Sequence, residues 1–195
     1  MPEPVATSLP DVPATSRRDQ IIEIAADLFA ERGFHGVSIA ELGSACGFSG
    51  PAIYKHFRSK QAILAEMLVS ISEVLLREGR RRVQSATDDE AALAALVDWH
   101  VTFALDHKAL IVVQDRDWSA LPVEAREKVR TTQRAYVEVW VRTLRALHPG
   151  LSAERARARV HAGFGLINST PHSAVVSDAE MRGILSEMAL RALLP

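Results

Sequence analysis

One stretch, CGFSGPAIYKHFRSK from Cys46 to Lys60, limits what this chain can fold into more than any other. Ser49 is a typical N-cap and Pro51 is tolerated in a first helical turn, so a helix should begin here. The predicted helix, over 50–56, is shorter than the roughly 12–15 residues that an isolated helix needs in water. It must therefore pack against neighbouring helices, while its outer side carries aromatic and basic groups.

Two helices are predicted before this stretch. Ser16 is a typical N-cap for a helix over 17–32 with one apolar face. The capping-box pattern SIAE, which begins at Ser38, predicts a second helix over 39–46. Gly43 is small enough to let the third helix cross close to the second. Short helices joined by tight glycine-containing turns are typical of a helix-turn-helix, whose second helix enters the major groove of DNA.

The overall charge gives no general reason to expect a nucleic-acid partner. The chain of 195 residues has a net charge of −1, and hydrophobic residues make up 48% of it, enough for a sizeable core. Residues 42–60, however, contain three basic side chains and no acidic one. DNA binding would therefore depend on where the charges lie rather than on their sum.

The outer side of the third helix offers groups that can contact DNA. Tyr54 provides a long, rigid arm that ends in a hydroxyl, and Lys55 and His56 can reach phosphate. Because the start of this helix lacks Arg, Asn and Gln, we expect apolar contacts and DNA shape to contribute to sequence recognition. The alternative for each residue is a place in the core or on an ordinary polar surface.

Residues 17–63, RRDQIIEIAADLFAERGFHGVSIAELGSACGFSGPAIYKHFRSKQAI, resemble the N-terminal DNA-binding domain of the TetR family of transcriptional regulators. The features that match are FAERGF, SIAELGSACGFS, IYKHF and the lysine of SK. Two positions depart from the family pattern: Pro51 stands where glycine is more frequent, and Gly43 where alanine is. The resemblance implies DNA contacts at Ser38, Ser49, Gly50, Tyr54, Lys55, His56 and Lys60.

The rest of the chain is predicted to be helical. No alternating strand pattern or hairpin signal occurs, although ALIVVQ at 109–114 could be a buried strand; its helical neighbours favour a helix there. Caps and breaks predict helices over about 60–82, from Thr87 to 106, 109–114, from Pro122 to 147, from Ser152 to 169 and from Ser177 to 193. The expectation is an all-α protein of about nine helices, with a flexible arm over 1–15, a helix-turn-helix domain over 16–60 and a larger helical domain over 61–195.

The TetR resemblance implies that this larger domain binds a small molecule and dimerises. Aromatic and polar side chains mix at helical spacing in its middle helices, as they do around mainly apolar ligand pockets, although each could instead be a core residue. The predicted pocket residues are Trp99, His100, Phe103, His107, Tyr136, Trp140, Phe164 and Asn168. The segments DHKALIVVQDRDWSAL and GFGLINSTPHS resemble regulators that respond to acyl-CoA thioesters, which implies a fatty-acid or acyl-CoA effector.

Apolar stripes on the last two predicted helices are candidates for joining two copies of the chain. The stripe residues are Val160, Phe164, Ile167, Met181, Ile184, Leu185 and Met188. The alternative is that these faces pack inside one subunit. A two-fold dimer is favoured because its two helix-turn-helix domains, called heads below, can bind two half-sites of a palindromic operator about 34–36 Å apart. In the predicted mechanism of a repressor, ligand binding moves the fourth helix and changes the spacing of the two heads.

Other classes of function have weaker support. GFG at 163–165 lacks the third glycine of a nucleotide loop, and no serine or cysteine stands in a nucleophile elbow, so neither an enzyme nor a cofactor is expected. His100 and His107, with Asp106 or His161, could bind a metal, but no established metal-ligand spacing occurs, so none is expected. The remaining alternative is an all-α interaction or small-molecule-binding protein without DNA affinity.

The sequence also bears on the cellular compartment. No apolar run approaches 18 residues, so no membrane span or membrane partner is expected. The N-terminus lacks the pattern of a signal peptide, and the single cysteine, Cys46, excludes an intrachain disulfide framework. These features favour the reducing cytoplasm.

Overall fold

The computed structural model describes residues 16–173 and 175–194, so the arm predicted over 1–15 lies outside the described residues. Within those ranges the chain contains helices and no strand, which confirms the all-α class. The helices are α1 Arg17–Arg32, α2 Ile39–Ala45, α3 Gly50–Ile53, α4 Lys60–Ser85, α5 Asp89–Asp106, α6 Lys108–Asp117, α7 Val123–Leu147, α8 Ala153–Ile167, α9 Thr170–Ser173 and α10 Asp178–Leu193, with one 3-10 turn, Trp118–Ala120. None of these helices is long and apolar enough to cross a membrane.

The first three helices form as their caps predict. Reciprocal capping boxes at Ser16 and Ser38 begin α1 and α2, and Gly33 ends α1 with a φ of 79°. A Cβ on Gly43 would lie 2.7 Å from the backbone nitrogen of Gly50, so the close crossing of α2 and α3 requires a glycine there. Regular α3 is a single turn, shorter than predicted, and the chain continues as a turn to His56.

Two groups of buried side chains form the core. The first lies beneath α1 to α3 and contains Phe29, Ile53 and the α4 residue Leu64, but also Val113 of α6 and Val129 of α7. The second lies between the later part of α4 and helices α5, α7, α8 and α10. A domain boundary at residue 60 therefore stays a prediction, because the first core continues into helices beyond it.

Three details of the larger part differ from the sequence prediction. The N-cap of α5 is Asp88 rather than Thr87, because the Asp88 carboxylate accepts the backbone N–H of Ala91 at 2.8 Å. Pro122 precedes α7 as its N-cap instead of occupying its first turn. The one-turn helix α9 was not predicted; its buried Thr170 donates a hydrogen bond to the Ala104 carbonyl at 2.7 Å.

Candidate DNA interface and ligand cavity

The end of α3 and the turn after it form an accessible polar surface. Tyr54 ends α3 and is 56% exposed, Lys55 is exposed, and His56 is half-buried. Ser49 precedes α3, and its exposed hydroxyl makes no hydrogen bond that caps the helix. These four predicted residues therefore lie together around one short helix. In that position their phenol, ammonium, imidazole and hydroxyl groups can meet a DNA backbone.

Ser38 and Gly50 lie where α2 begins and where α2 meets α3. The Ser38 hydroxyl accepts the Glu41 backbone N–H at 3.2 Å, and the Glu41 carboxylate accepts the Ser38 N–H at 2.7 Å. These bonds, with help from Arg32, lower the pKa of Glu41 to about 2. Gly50 packs against Ala40 of α2. Ser38 thus fixes the start of α2, and Gly50 allows the two helices to approach.

Lys60 serves the architecture of the head. Its Nζ donates to the carbonyls of Phe34 and Val37, each at 2.6 Å, and lies 4.4 Å from the centre of the Phe34 ring. Burial lowers the pKa of Lys60. Two of its three N–H groups therefore hold the loop between α1 and α2, and a contact with DNA through the third stays a prediction.

Arg18 was not singled out from the sequence, yet it fixes the position of α3. Its guanidinium pairs with Glu66 of α4, donates to the His56 carbonyl and lies 4.1 Å from the centre of the Phe57 ring. Phe57 itself is buried in the first core. A signal was available in the sequence, since Arg18 is a cation in the first turn of α1, where the helix dipole disfavours positive charge.

A cavity of about 310 Å³ opens between α4, α5, α6, α7 and α8. The predicted pocket residues that line it are His100, Phe103, Tyr136, Phe164 and Asn168. The prediction was wrong for Trp140, which is buried behind the wall with its ring edge-on to that of Phe164 at 5.1 Å. It was also wrong for Trp99, which packs 5.1 Å from the Arg82 guanidinium, and for His107, which lines a separate cavity between α1, α4 and the α5–α6 junction.

The cavity has an apolar wall and a basic edge. Ile71 and Leu75 of α4 and Ile111 of α6 belong to the wall. The polar lining comprises Gln114, Asp115, Arg130, Gln133, Arg134, Arg157 and His161. Its three arginines outnumber its single carboxylate, and two of them also pair with glutamates on the surface. Sequence reasoning missed this edge, although Arg130, Arg134 and Val137 recur on one side of α7 at helical spacing.

Neutral polar groups lie at the buried side of the cavity. His100 is 3% exposed, its ring stacks on Phe164 at 4.4 Å, and the Tyr136 hydroxyl lies 3.4 Å from its Nδ1. Burial lowers the pKa of His100 to about 4 and raises the pKa of Tyr136. Both groups are therefore uncharged near neutral pH. Across the described ranges, no three His, Cys, Asp or Glu side chains are placed to hold a metal ion.

Helix α6 connects the cavity to the head. After lining the cavity it ends at Arg116 and Asp117. Arg116 donates to the Ala30 carbonyl at 3.1 Å and to the Phe29 carbonyl, both in the last turn of α1. The buried Asp117 carboxylate accepts the backbone N–H of Phe34 at 3.2 Å. One short helix therefore borders the cavity and is hydrogen-bonded to the end of α1 and the loop that follows it.

The apolar stripe predicted for dimerisation is wrong as a set. Val160, Ile167, Met181 and Leu185 are buried in the core of this single chain, and Phe164 lines the cavity. They cannot form an interface without opening that core. Ile184 and Met188 are 39% and 50% exposed and remain accessible on α10.

Comparison with known proteins decides the family. Residues 21–67 match the family model described as bacterial regulatory proteins, tetR family, and residues 86–172 match the one described as tetracyclin repressor-like, C-terminal domain. The chain belongs to the TetR family of transcriptional regulators. In this TetR-family protein, the accessible α3 surface lies within residues 21–67, the part that matches the first of these models.

Curated relatives and solved structures agree with this assignment. The repressor KstR2 of Rhodococcus jostii is 29% identical over 133 residues, which are 68% of this chain and 65% of that protein. The activator FasR of Mycolicibacterium smegmatis is 30% identical over 147 residues, 75% of this chain and 66% of that protein. The TetR-family chain therefore aligns with just under two thirds of the length of these relatives.

The solved structures cover more of the TetR-family chain. A TetR-family regulator from Bordetella parapertussis is 27% identical with a TM-score of 0.79, over 89% of this chain and 93% of that one. AibR in complex with isovaleryl coenzyme A and operator DNA is 17% identical with a TM-score of 0.73, over 89% of this chain and 97% of AibR. The second likeness shows the fold alone.

Proposed function

We propose that this TetR-family regulator is a dimeric repressor that leaves a palindromic operator when an acyl-CoA thioester binds in the cavity between α4 and α8. The observation that carries the proposal is the combination of an apolar wall with an edge of three arginines. An acyl chain matches the wall, and the phosphates of coenzyme A match guanidinium groups, which bind phosphate in a planar, bidentate manner.

Similar proteins support this class of effector and partner. AibR shares the fold and binds isovaleryl coenzyme A and operator DNA. KstR2 is named a repressor and FasR an activator, so the sign of regulation differs among relatives of comparable identity. We favour repression because an effector that deforms the cavity would disturb the contacts of α6 with α1, and so the geometry of the head.

The dimer in this proposal uses the solvent-facing sides of α8 and α10. Ala158, Ala162 and Gly165 recur on α8 as exposed small residues, and Ile184 and Met188 are large exposed apolar residues of α10. Small residues allow the helices of two subunits to approach closely. A symmetric pair of heads then binds two half-sites, which raises both affinity and specificity over a single head.

Effector binding would reach the head through two helices. The sequence predicted movement of α4, which lines the cavity with Ile71 and Leu75 and begins in the head. Helix α6 offers a second route through Arg116 and Asp117. A ligand that prefers one arrangement of these helices shifts the population of heads able to bind the operator.

A gel-shift titration tests the DNA part of the proposal. The probe is the DNA upstream of the gene, and the proteins are the wild type, Tyr54→Ala/Lys55→Ala, and Arg142→Ala as a control that removes an exposed cation of α7. We expect the double variant to lose retardation, the control to keep it, and wild-type affinity to fall steeply as salt rises. Equal retardation by all three proteins would remove α3 from the binding surface.

The effector part is tested on the same complex. Octanoyl-CoA should release the DNA, whereas free coenzyme A and free octanoate, the two controls, should not. Release then requires the acyl chain and the nucleotide in one molecule. Arg130→Ala/Arg134→Ala should raise the concentration needed for release without changing operator affinity. Release that is unaffected by every thioester would refute the proposed effector class and leave DNA binding intact.

A further inference from the structure

Tyr136 of α7 separates the cavity from a second apolar part of the core. Its side chain is buried and lines the cavity. On α4 the ring packs against Gly79, where an added Cβ would lie 2.6 Å from Tyr136 Cε2 and 3.4 Å from Cδ2 of Leu96 in α5. Neither Gly79 nor Leu96 lines the cavity, so both lie on the other side of the ring. The ring therefore closes the inner end of the cavity.

The apolar wall of the cavity continues along α4 behind this ring. Ile71, Leu75 and Gly79 follow one another at intervals of four residues, which places them on the same side of the helix. The first two line the cavity, and Gly79 would join them if the ring were absent. Glycine is unfavourable inside a helix, but at this position it leaves the space that the ring occupies. One side chain therefore determines where the cavity ends.

Neighbouring aromatic groups hold the Tyr136 ring in this position. Phe164 stacks on it at 5.6 Å with an interplanar angle of 20°, and Trp140 meets it edge-on at 6.1 Å. The Tyr136 hydroxyl lies 3.4 Å from His100 Nδ1, within hydrogen-bonding distance. A ring packed in this way cannot swing aside for a ligand without losing these contacts.

The cavity volume turns this end wall into a limit on the length of an acyl chain. The arginine edge would hold the phosphates of coenzyme A, so the far end of the chain would point towards Tyr136. A methylene group takes up about as much space as a water molecule, about 30 Å³. The cavity of about 310 Å³ therefore holds about ten chain carbons at most.

We propose that the Tyr136 ring ends the acyl-chain site and restricts the effector to short- and medium-chain thioesters. The inference rests on the proposed function, because it concerns the chain of the same ligand. It makes Tyr136 a residue that determines specificity by the volume of its ring, whereas its hydroxyl has no part in measuring the chain.

Calorimetric titration of the full-length protein with hexanoyl-CoA, octanoyl-CoA and dodecanoyl-CoA tests this limit. The wild type should bind octanoyl-CoA at least about tenfold more tightly than dodecanoyl-CoA, because each methylene that finds no room forfeits about fourfold in affinity. Tyr136→Ala opens the space up to Gly79 and Leu96, so it should bind dodecanoyl-CoA at least about tenfold more tightly than the wild type does. Tyr136→Phe, the matched control, keeps the ring and should keep the wild-type preference.

Gly79→Ala tests the same wall from the opposite side. Its Cβ would overlap the Tyr136 ring and push it into the cavity, so octanoyl-CoA should bind about tenfold more weakly, while hexanoyl-CoA should lose less. Gly183→Ala is the control for a glycine replaced within a helix, because its Cβ would meet nothing within 4 Å. This control should bind all three thioesters as the wild type does.

Two results would overturn the inference while leaving the effector class standing. One is a wild type that binds octanoyl-CoA and dodecanoyl-CoA equally, and the other is a Tyr136→Ala variant that keeps the wild-type ratio of these two affinities. If Tyr136→Ala fails to fold by circular dichroism, unchanged affinities of Gly79→Ala for octanoyl-CoA and hexanoyl-CoA count against the inference. Failure of every thioester to bind would overturn both the inference and the proposed function.

Discussion

Replacing Asp117 by alanine should weaken both the stability of the protein and its response to effector. The Asp117 side chain is 7% exposed and accepts the backbone N–H of Phe34 at 3.2 Å, across 83 residues of sequence. Removing the carboxylate leaves that buried N–H unpaired, which costs about 1–3 kcal/mol. The ion pair with Arg116, at 3.3 Å, adds at most about 1 kcal/mol because the arginine is 42% exposed.

The expected loss is therefore about 1–4 kcal/mol in the free energy of unfolding. For a chain of this size each kcal/mol lowers Tm by about 2–4 °C, so Asp117→Ala should melt roughly 2–16 °C below the wild type. Asp117→Asn keeps an oxygen that can accept the Phe34 N–H and should lose about half as much. Glu31→Ala removes an exposed carboxylate of α1 and should change the free energy of unfolding by less than about 0.5 kcal/mol.

The same variants measure coupling between cavity and head. Coupling is the ratio of operator Kd with and without saturating effector, and allosteric couplings are typically about 5–150-fold. If α6 transmits the signal, Asp117→Ala should reduce this ratio by about tenfold while effector-free operator affinity changes little. A variant that melts like the wild type would refute the energetic reasoning, and one that retains full coupling would remove Asp117 from the route.

Three further outcomes are expected. Gly43→Ala gains about 1 kcal/mol of helix propensity. Its Cβ would, however, lie 2.7 Å from the backbone nitrogen of Gly50 in α3, and such overpacking costs about 1–3 kcal/mol. Thermal melts should therefore show a variant less stable than the wild type. The pKa of His100 is about 4 in the folded protein and about 6.5 in the unfolded chain, so between these pH values the unfolded chain binds a proton that the folded protein does not. Urea denaturation should therefore show the free energy of unfolding falling by up to about 3 kcal/mol as pH is lowered from 6.5 to 4. The fall should be smaller in His100→Phe. Ile184→Glu/Met188→Glu should convert the proposed dimer to a folded monomer in analytical ultracentrifugation.

Each of these outcomes has a matched control. A Cβ on Gly183 would meet nothing within 4 Å, so Gly183→Ala should stabilise α10 by up to about 1 kcal/mol. Equal changes in melting temperature for Gly43→Ala and Gly183→Ala would contradict the close crossing of α2 and α3. His172→Phe removes an exposed histidine and should leave the pH dependence unchanged. Val175→Glu changes a residue that is 91% exposed and lies outside α10, so it should leave the dimer intact.

The helices could be predicted because their signals are local. Capping residues such as Ser16, Ser38 and Ser177 satisfy N–H groups within one turn, so they need no tertiary context. The short α9 could not be predicted in this way. It is held by the bond of Thr170 to the Ala104 carbonyl, a partner 66 residues away.

The cavity could be predicted only in part. Helical spacing grouped His100, Phe103 and His107 on one helix and predicted Tyr136 and Phe164 from two others; all but His107 line the cavity. Spacing does not determine depth, however, and Trp140, one turn along α7 from Tyr136, lies behind the wall. The arginine edge was missed because charged residues on a helix usually indicate a solvated face, and only the fold places them beside an apolar wall.

The predicted dimer stripe fails for a related physical reason. Helices α8 and α10 carry small or apolar residues on more than one side, so periodicity alone cannot say which side meets the core. On α8 the structure buries Val160 and leaves Ala162 and Gly165 exposed, and on α10 it buries Leu185 and leaves Ile184 and Met188 accessible. The buried residues stabilise each copy by itself, while the exposed side of the two helices is free to meet a second pair of helices. A folded monomer of Ile184→Glu/Met188→Glu is therefore the expected product of disrupting the dimer, whereas charged residues at Val160 and Leu185 should unfold the chain.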